Sequence, residues 1–159
     1  GEGALFRVLL PVSEKSAPQE GPSMETRAPT GARVLVMDDD EGVRKVLRQM
    51  LESLGMEVVE ASEGESAIDL YTRAVDSGHG FDLLIMDLTV PGGMGGAQAM
   101  RELLELDPEV TALVSSGYSN DPVMARYAEH GFAGVLRKPF TLRELRRALL
   151  STLGSEGRD

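Results

Sequence analysis

Two uninterrupted apolar runs, Val34-Leu35-Val36-Met37 and Leu83-Leu84-Ile85-Met86, each end on aspartate: the first on Asp38, Asp39 and Asp40, the second on Asp87. A short run without polar alternation has no side suited to water, so it reads as a strand buried on both faces of a parallel sheet. A third run, Val135 and Leu136, leads into Lys138-Pro139. In an open parallel sheet the ligand crevice lies outside the carboxyl ends of the strands. Acid, acid and base therefore reach one edge of the molecule although they are far apart in sequence. Carboxylates gathered in this way call for a cation, because like charges about 4 Å apart repel by about 4 kcal/mol even at an effective dielectric near 20.

The remaining pattern alternates strands with helices. Strands are expected near residues 33–37, 57–61, 82–86, 110–114 and 134–137. Val43, Val46, Leu47, Met50, Leu51 and Leu54 recur at spacings of three and four, which predicts one apolar helical stripe, stopped by Gly55. Asp40 suits the N-cap of that helix. Ser62 with Glu65, and Thr141 with Glu144, have capping-box spacing and predict helices over 63–76 and 141–153. Asp121 before Pro122 predicts an N-cap with proline at the first helical position, opening a helix to about His130 that Gly131 stops. The remaining helix begins near Gly95 or Gly96. Five such units imply an α/β fold, a doubly wound parallel (βα)5 sheet with helices on both faces.

Composition narrows the functional classes. The chain has 159 residues, a net charge of −10 and no cysteine. Disulfides and thiolate metal sites are excluded, and the lack of cysteine fits a reducing, cytoplasmic compartment. So acidic a chain offers no broad basic stripe for phosphates, so direct nucleic-acid binding is not expected. The early apolar stretch Val8-Leu9-Leu10, with Phe6 nearby, is too short for a membrane span, and no membrane contact is expected of this segment. His79 and His130 lack metal-ligand spacing and read as structural or solvated.

Residues 12–31 are rich in proline, serine and glutamate and nearly devoid of large apolar residues, the composition of a flexible linker. Before them stands Gly1-Glu2-Gly3-Ala4-Leu5-Phe6 followed by a strand-like segment to Pro11. Ordered periodicity occupies 32–154, and 155–159 form a tail.

The acidic pair after the first strand, the aspartate after the third, a hydroxyl residue after the fourth and Lys-Pro after the fifth resemble the receiver domain of two-component response regulators. The resemblance runs from Ala32 to about Leu153. It implies a flavodoxin-like sheet of strand order 2-1-3-4-5, with Asp87 as phosphoacceptor, Ser115 as the hydroxyl residue and Lys138 as the invariant base. It further implies Mg2+ held by Asp39, Asp87 and the Thr89 carbonyl, with Asp38 acting through water. Partners implied are a histidine kinase or a histidine phosphotransfer domain. A receiver promotes its own phosphorylation and dephosphorylation without being a conventional turnover enzyme. The N-terminal glycine box is similar to the end of a histidine-kinase ATP-binding domain, over residues 1–11. The loop from Asp87 to Gly96 resembles receivers fused behind such kinases, so the expected context is the C-terminal receiver of a hybrid sensor kinase.

Each position also has a plainer reading. The three aspartates would suit a helix N-terminus, where negative charge is favoured. Ser116 competes with Ser115 for the hydroxyl role, and Lys138 would serve as a solvated lysine were Pro139 not there to constrain the peptide, a candidate for the cis form. The fifth strand carries Val135 where many receivers have an aromatic residue. Thr89 and Gly117, at the positions thought to tune loss of the phosphoryl group, supply neither carboxylate nor amide to orient water. A haloacid-dehalogenase-like phosphatase would need an aspartate at 89, and a dinucleotide site would need glycines after the first strand. The alternative of another class is a pseudo-receiver, a protein-interaction module of the same fold that is never phosphorylated.

Overall fold

The computed structural model describes residues 30–117 and 121–154. The glycine box of 1–11, the linker up to 29, Tyr118 and the tail 155–159 lie outside the described residues. Five strands, β1 (Arg33–Met37), β2 (Glu57–Ala61), β3 (Leu83–Asp87), β4 (Ala112–Ser116) and β5 (Gly134–Arg137), form one parallel sheet in the order β2-β1-β3-β4-β5. The helices are α1 (Glu41–Ser53), α2 (Gly64–Asp76), α3 (Gly96–Leu106), α4 (Pro122–Ala125) and α5 (Leu142–Leu153), with a 3-10 turn at Tyr127–His130. This is the flavodoxin-like arrangement expected from the sequence.

Strand alternation splits the core into two layers. Val34, Val36, Leu83, Ile85, Leu113 and Leu136 face α1 and α5, where Leu47, Leu51, Leu145 and Leu149 complete one cluster. Leu35, Met37, Leu84, Met86, Ala112 and Val114 face the other way, onto Ala67, Tyr71, Met100 and Leu103 of α2 and α3. The apolar runs thus have two dry sides, which is why they lack polar alternation.

Several local expectations need correction. β3 and β4 end one and two residues later than expected, so Ser115 lies inside β4 and not after it; Ser115 and Ser116 are both buried and continue the ladder. The capping box of α2 uses Glu63 and Ser66, not Ser62 and Glu65, because Gly64 must enter first, packed against Met94 and Ala99 and donating to the Met94 carbonyl. The helix expected over 121–130 breaks at Arg126, whose φ of −125° leaves the helical region. Within it Met124 alone is buried, too little anchorage for a long helix. Val46 is 47% exposed, outside the buried stripe of α1. The N-caps Asp40 and Asp121 and the Thr141–Glu144 box form as expected, and Gly131 ends the 3-10 turn with a φ of +84°. Gly31 donates its amide to the Gly55 carbonyl at 2.8 Å, so the chain is tied to the β2 entry from that residue onward.

Candidate functional site

The alternation that builds the core also builds the site. Asp38, Asp87, Ser115 and Lys138 each stand two residues beyond a member of the α1/α5 layer: Val36, Ile85, Leu113 and Leu136. Side chains two apart share a face of a strand, so all four emerge at the carboxyl edge on the same side of the sheet. Ser116 has the parity of Val114 and belongs to the opposite layer. That parity puts Ser115, and not Ser116, on the face shared with Asp38 and Asp87, a signal present in the sequence once the register is known.

Lys138 Nζ lies 2.5 Å from Asp38 Oδ2 and 2.7 Å from Asp87 Oδ1, bridging the two. Asp38 is 1% exposed and Asp87 6%. Asp39 is exposed, yet carboxylate oxygens of Asp38, Asp39 and Asp87 all lie within 4.8 Å of one another. Burial pushes the Asp87 carboxyl above the usual carboxylate range; Lys138 opposes the rise, Asp38 adds to it, and the Thr89 amide, donating to Asp87, opposes it. Burial also works against the charged form of Lys138, but its hydrogen bonds to Asp38 and Asp87 prevail and its pKa is raised. The site therefore keeps a lysine charged between acids that crowd one another.

Ser115 is Asp87's registered partner across β3 and β4. It is 1% exposed, and its Oγ is buried with no hydrogen-bond partner. A buried hydroxyl left unmade costs about 1–3 kcal/mol, so its presence here calls for an acceptor that arrives from outside. The Lys138-Pro139 bond is cis, and Lys138 is further held by its amide donating to the Ser116 carbonyl at 3.0 Å. Thr89 is exposed beside the acids. Its loop packs closely on α3: a Cβ at Gly95 would lie 2.4 Å from the Leu88 carbonyl oxygen, and one at Gly96 would lie 2.6 Å from that of Asp87. Glycine is required there because the backbones approach too closely for any side chain.

Asp40 accepts from the amides of Gly42 and Val43 and serves as N-cap, standing apart from the acidic cluster. His79 and His130 lie elsewhere, His79 contacting the Ser77 carbonyl and His130 ending the 3-10 turn. Arg44 was not singled out from the sequence. It donates to the carbonyls of Asp38 and Asp39, and the signal that marks it is a basic residue in the first turn of a helix, where the dipole disfavours positive charge.

Hard oxygen ligands converging in this way suit a Mg2+-sized cation, and the donor set fits one. No helix of the described residues is long and apolar enough to cross a membrane.

Comparison with known proteins agrees with this geometry. The chain is 29% identical over 154 residues to the sensor kinase CckA of Brucella abortus (strain 2308), an alignment covering 91% of this chain but 16% of that protein. It is 30% identical to the chemotaxis protein CheY of Thermotoga maritima, covering 69% of this chain and 88% of that one. Among solved structures, the receiver domain of a sensor histidine kinase from Pseudomonas aeruginosa PAO1, which has a magnesium ion coordinated in its active site cleft, superposes with a TM-score of 0.69 at 25% identity, covering 79% of this chain and 99% of that one. The family model of the response regulator receiver domain matches residues 34–150, which span both core layers and the whole carboxyl-edge site, and the chain belongs to that family.

Proposed function

We propose that this receiver takes a phosphoryl group onto Asp87 from the phosphohistidine of a histidine kinase or histidine phosphotransfer domain. The observation that carries the reading is the placement of a partnerless buried Ser115 hydroxyl beside Asp87, whose carboxylate accepts from the Lys138 ammonium. An Asp87 carboxylate oxygen attacks phosphorus, the P–N bond to the donor imidazole breaks, an acyl phosphate forms, and the imidazole leaves with a proton from solvent. Asp38, Asp39, Asp87 and the Thr89 carbonyl would hold Mg2+, which when bound offsets the repulsion between carboxylate and phosphoryl oxygens. Lys138 and Ser115 then bind the phosphoryl oxygens, and the work is mainly positioning and charge stabilisation.

Phosphorylation draws Ser115 and Lys138 toward the new oxygens. That movement biases the β4–α4 loop and the face formed by α4, β5 and α5, the output surface. With Val135 half-buried at the position of the usual aromatic residue, the change passes mainly through the loop after Ser115.

A groove of about 580 Å³ beside the site, lined by Val43, Val46, Gly117, Pro139 and Phe140, accounts for the exposure of Val46. It suits the apolar face of the partner's histidine-bearing helix. The context of a hybrid sensor kinase is supported by the CckA alignment: residues 32–159 make up about four fifths of the chain, so 91% coverage must include part of the N-terminal segment. We read residues 1–11 as the end of a kinase ATP-binding domain, joined by a linker to the receiver, with a cytoplasmic site of action. Transfer of radiolabelled phosphate from a phosphorylated histidine kinase tests the reading. Label should pass to the wild type, be lost in Asp87→Asn and be reduced in Val46→Asp; label retained by Asp87→Asn would refute it.

A further inference from the structure

The acidic turn after β1 is held from beneath by one side chain. Arg44 Nη1 donates to the Asp38 carbonyl at 2.7 Å and to the Asp39 carbonyl at 3.1 Å. Its Nε lies 3.6 Å from Glu60 Oε2 on β2. The same Glu60 carboxylate pairs with Arg48, which also reaches Glu52. The Arg44 side chain is largely sequestered, 15% exposed, so this is not a loose surface pair of the kind that contributes little. A planar guanidinium carries its donors on a rigid fork, so Arg44 reaches the two carbonyls through Nη1 and the carboxylate through Nε in one fixed geometry, whereas an ammonium offers a single rotatable point of attachment.

The orientation matters because the Asp38 and Asp39 carbonyls belong to the same residues whose carboxylates face Asp87. Fixing the peptide planes after Asp38 and after Asp39 fixes the direction in which the Asp39 side chain leaves the backbone, and, with the Asp38 amide donating to the Ala61 carbonyl at 3.2 Å, that of Asp38 as well. Asp40 adds to the order, donating its amide to Asp38 Oδ1 at 3.1 Å while its own carboxylate caps α1. Arg44 also sits where the helix dipole disfavours a cation, so its position is explained by the turn it supports and not by the helix that carries it.

We infer that Arg44, anchored by Glu60, is a positioning residue that sets the affinity of the Asp38-Asp39-Asp87 cluster for a divalent cation by fixing the backbone of the acidic pair. The inference rests on the cation-dependent phosphoacceptor reading above. It makes a prediction opposite in sign to simple electrostatics. A positive charge acting through space would repel the incoming cation, and its removal would tighten binding; a strut that aligns ligands does the reverse. Outer groups that orient metal ligands typically contribute about 10–100-fold in affinity.

The test is Mn2+ titration of the full chain followed by electron paramagnetic resonance, together with amide spectra of the cation-free protein. Arg44→Gln should weaken Mn2+ binding roughly tenfold and shift the amides of residues 38–40 before any cation is added. Glu60→Gln should weaken binding less, in the same direction, and Arg44→Lys should recover part of the loss. Unchanged or tighter binding by a folded Arg44→Gln protein overturns the inference, as does a lowered thermal midpoint with unaltered affinity. If Arg44→Gln does not fold, Arg44→Lys and Glu60→Gln decide the matter, and wild-type affinity in both overturns it. A wild type that binds no Mn2+ removes the phosphoacceptor reading and this inference together, whereas binding by the wild type that is insensitive to Arg44 removes the inference alone.

Discussion

Ser115 stands beside Asp87 in the register of β3 and β4, with its hydroxyl buried and unpartnered. An unsatisfied buried hydroxyl disfavours the resting fold, so Ser115→Ala should leave thermal stability unchanged or raise it by about 1 kcal/mol while slowing phosphorylation of Asp87. Ser116→Ala, on the opposite layer, should affect phosphorylation far less. Thermal melts with matched phosphorylation time courses check both, and equal slowing by the two substitutions would contradict the assignment.

Lys138 bridges two buried carboxylates. Its replacement in Lys138→Met leaves them facing each other without a counter-charge, and removal of one partner from a buried pair typically costs about 3 kcal/mol. The loss should be smaller with Mg2+ present, because a ligand of the native state adds stability by mass action. Denaturation with and without Mg2+ should therefore show a larger Mg2+ effect in Lys138→Met than in the wild type.

How much of this was legible in the chain follows from particular residues. The apolar runs before Asp38 and Asp87 gave away the buried parallel strands, and Asp40, Asp121 and Thr141 marked helix starts, because these signals are local. The end of β4 was not legible: Ser115-Ser116-Gly117 has turn composition, and its burial comes from neighbouring strands that a local reading does not see. The exposure of Val46 and the break at Arg126 likewise depend on what packs against those positions. Of the site, the acids and lysine announced themselves by following apolar runs, whereas Arg44 acts through backbone carbonyls that carry no residue signature.

Far from the site, the Tyr71 hydroxyl donates to Asp107 Oδ2 at 2.6 Å, and the Tyr71 ring stacks on Phe81 beneath the Arg33 guanidinium. The Tyr71 bond, followed by the Glu109 amide, holds the Asp107 carboxyl below its usual range. A carboxyl depressed in the fold adds stability above its unfolded pKa of about 4, and loses it as pH falls through the folded value. Tyr71→Phe should thus lower stability by about 1 kcal/mol at neutral pH, below the usual range for a charged bond because Asp107 is half-exposed. The deficit should shrink in acid. A deficit independent of pH, read from denaturation curves, would rule out this linkage.

Neither exposed Thr89 nor Gly117 presents a carboxylate or amide to orient water, and a Cβ at Gly117 would meet nothing within 4 Å. The phosphoryl group should therefore persist. Thr89→Asn with Gly117→Glu should fold normally and shorten its lifetime, measured as decay of the phosphorylated form after the donor is removed. A lifetime unaltered by the double substitution would count against the tuning role of these positions.

The most direct test of Asp87 as phosphoacceptor is intact mass spectrometry after incubation with Mg2+ and a small phosphodonor. The wild type should gain the mass of one phosphoryl group, and the gain should disappear on chelation of Mg2+ during the reaction and in Asp87→Asn. A folded wild-type protein that gains no mass under these conditions would contradict the account and mark the domain as a pseudo-receiver.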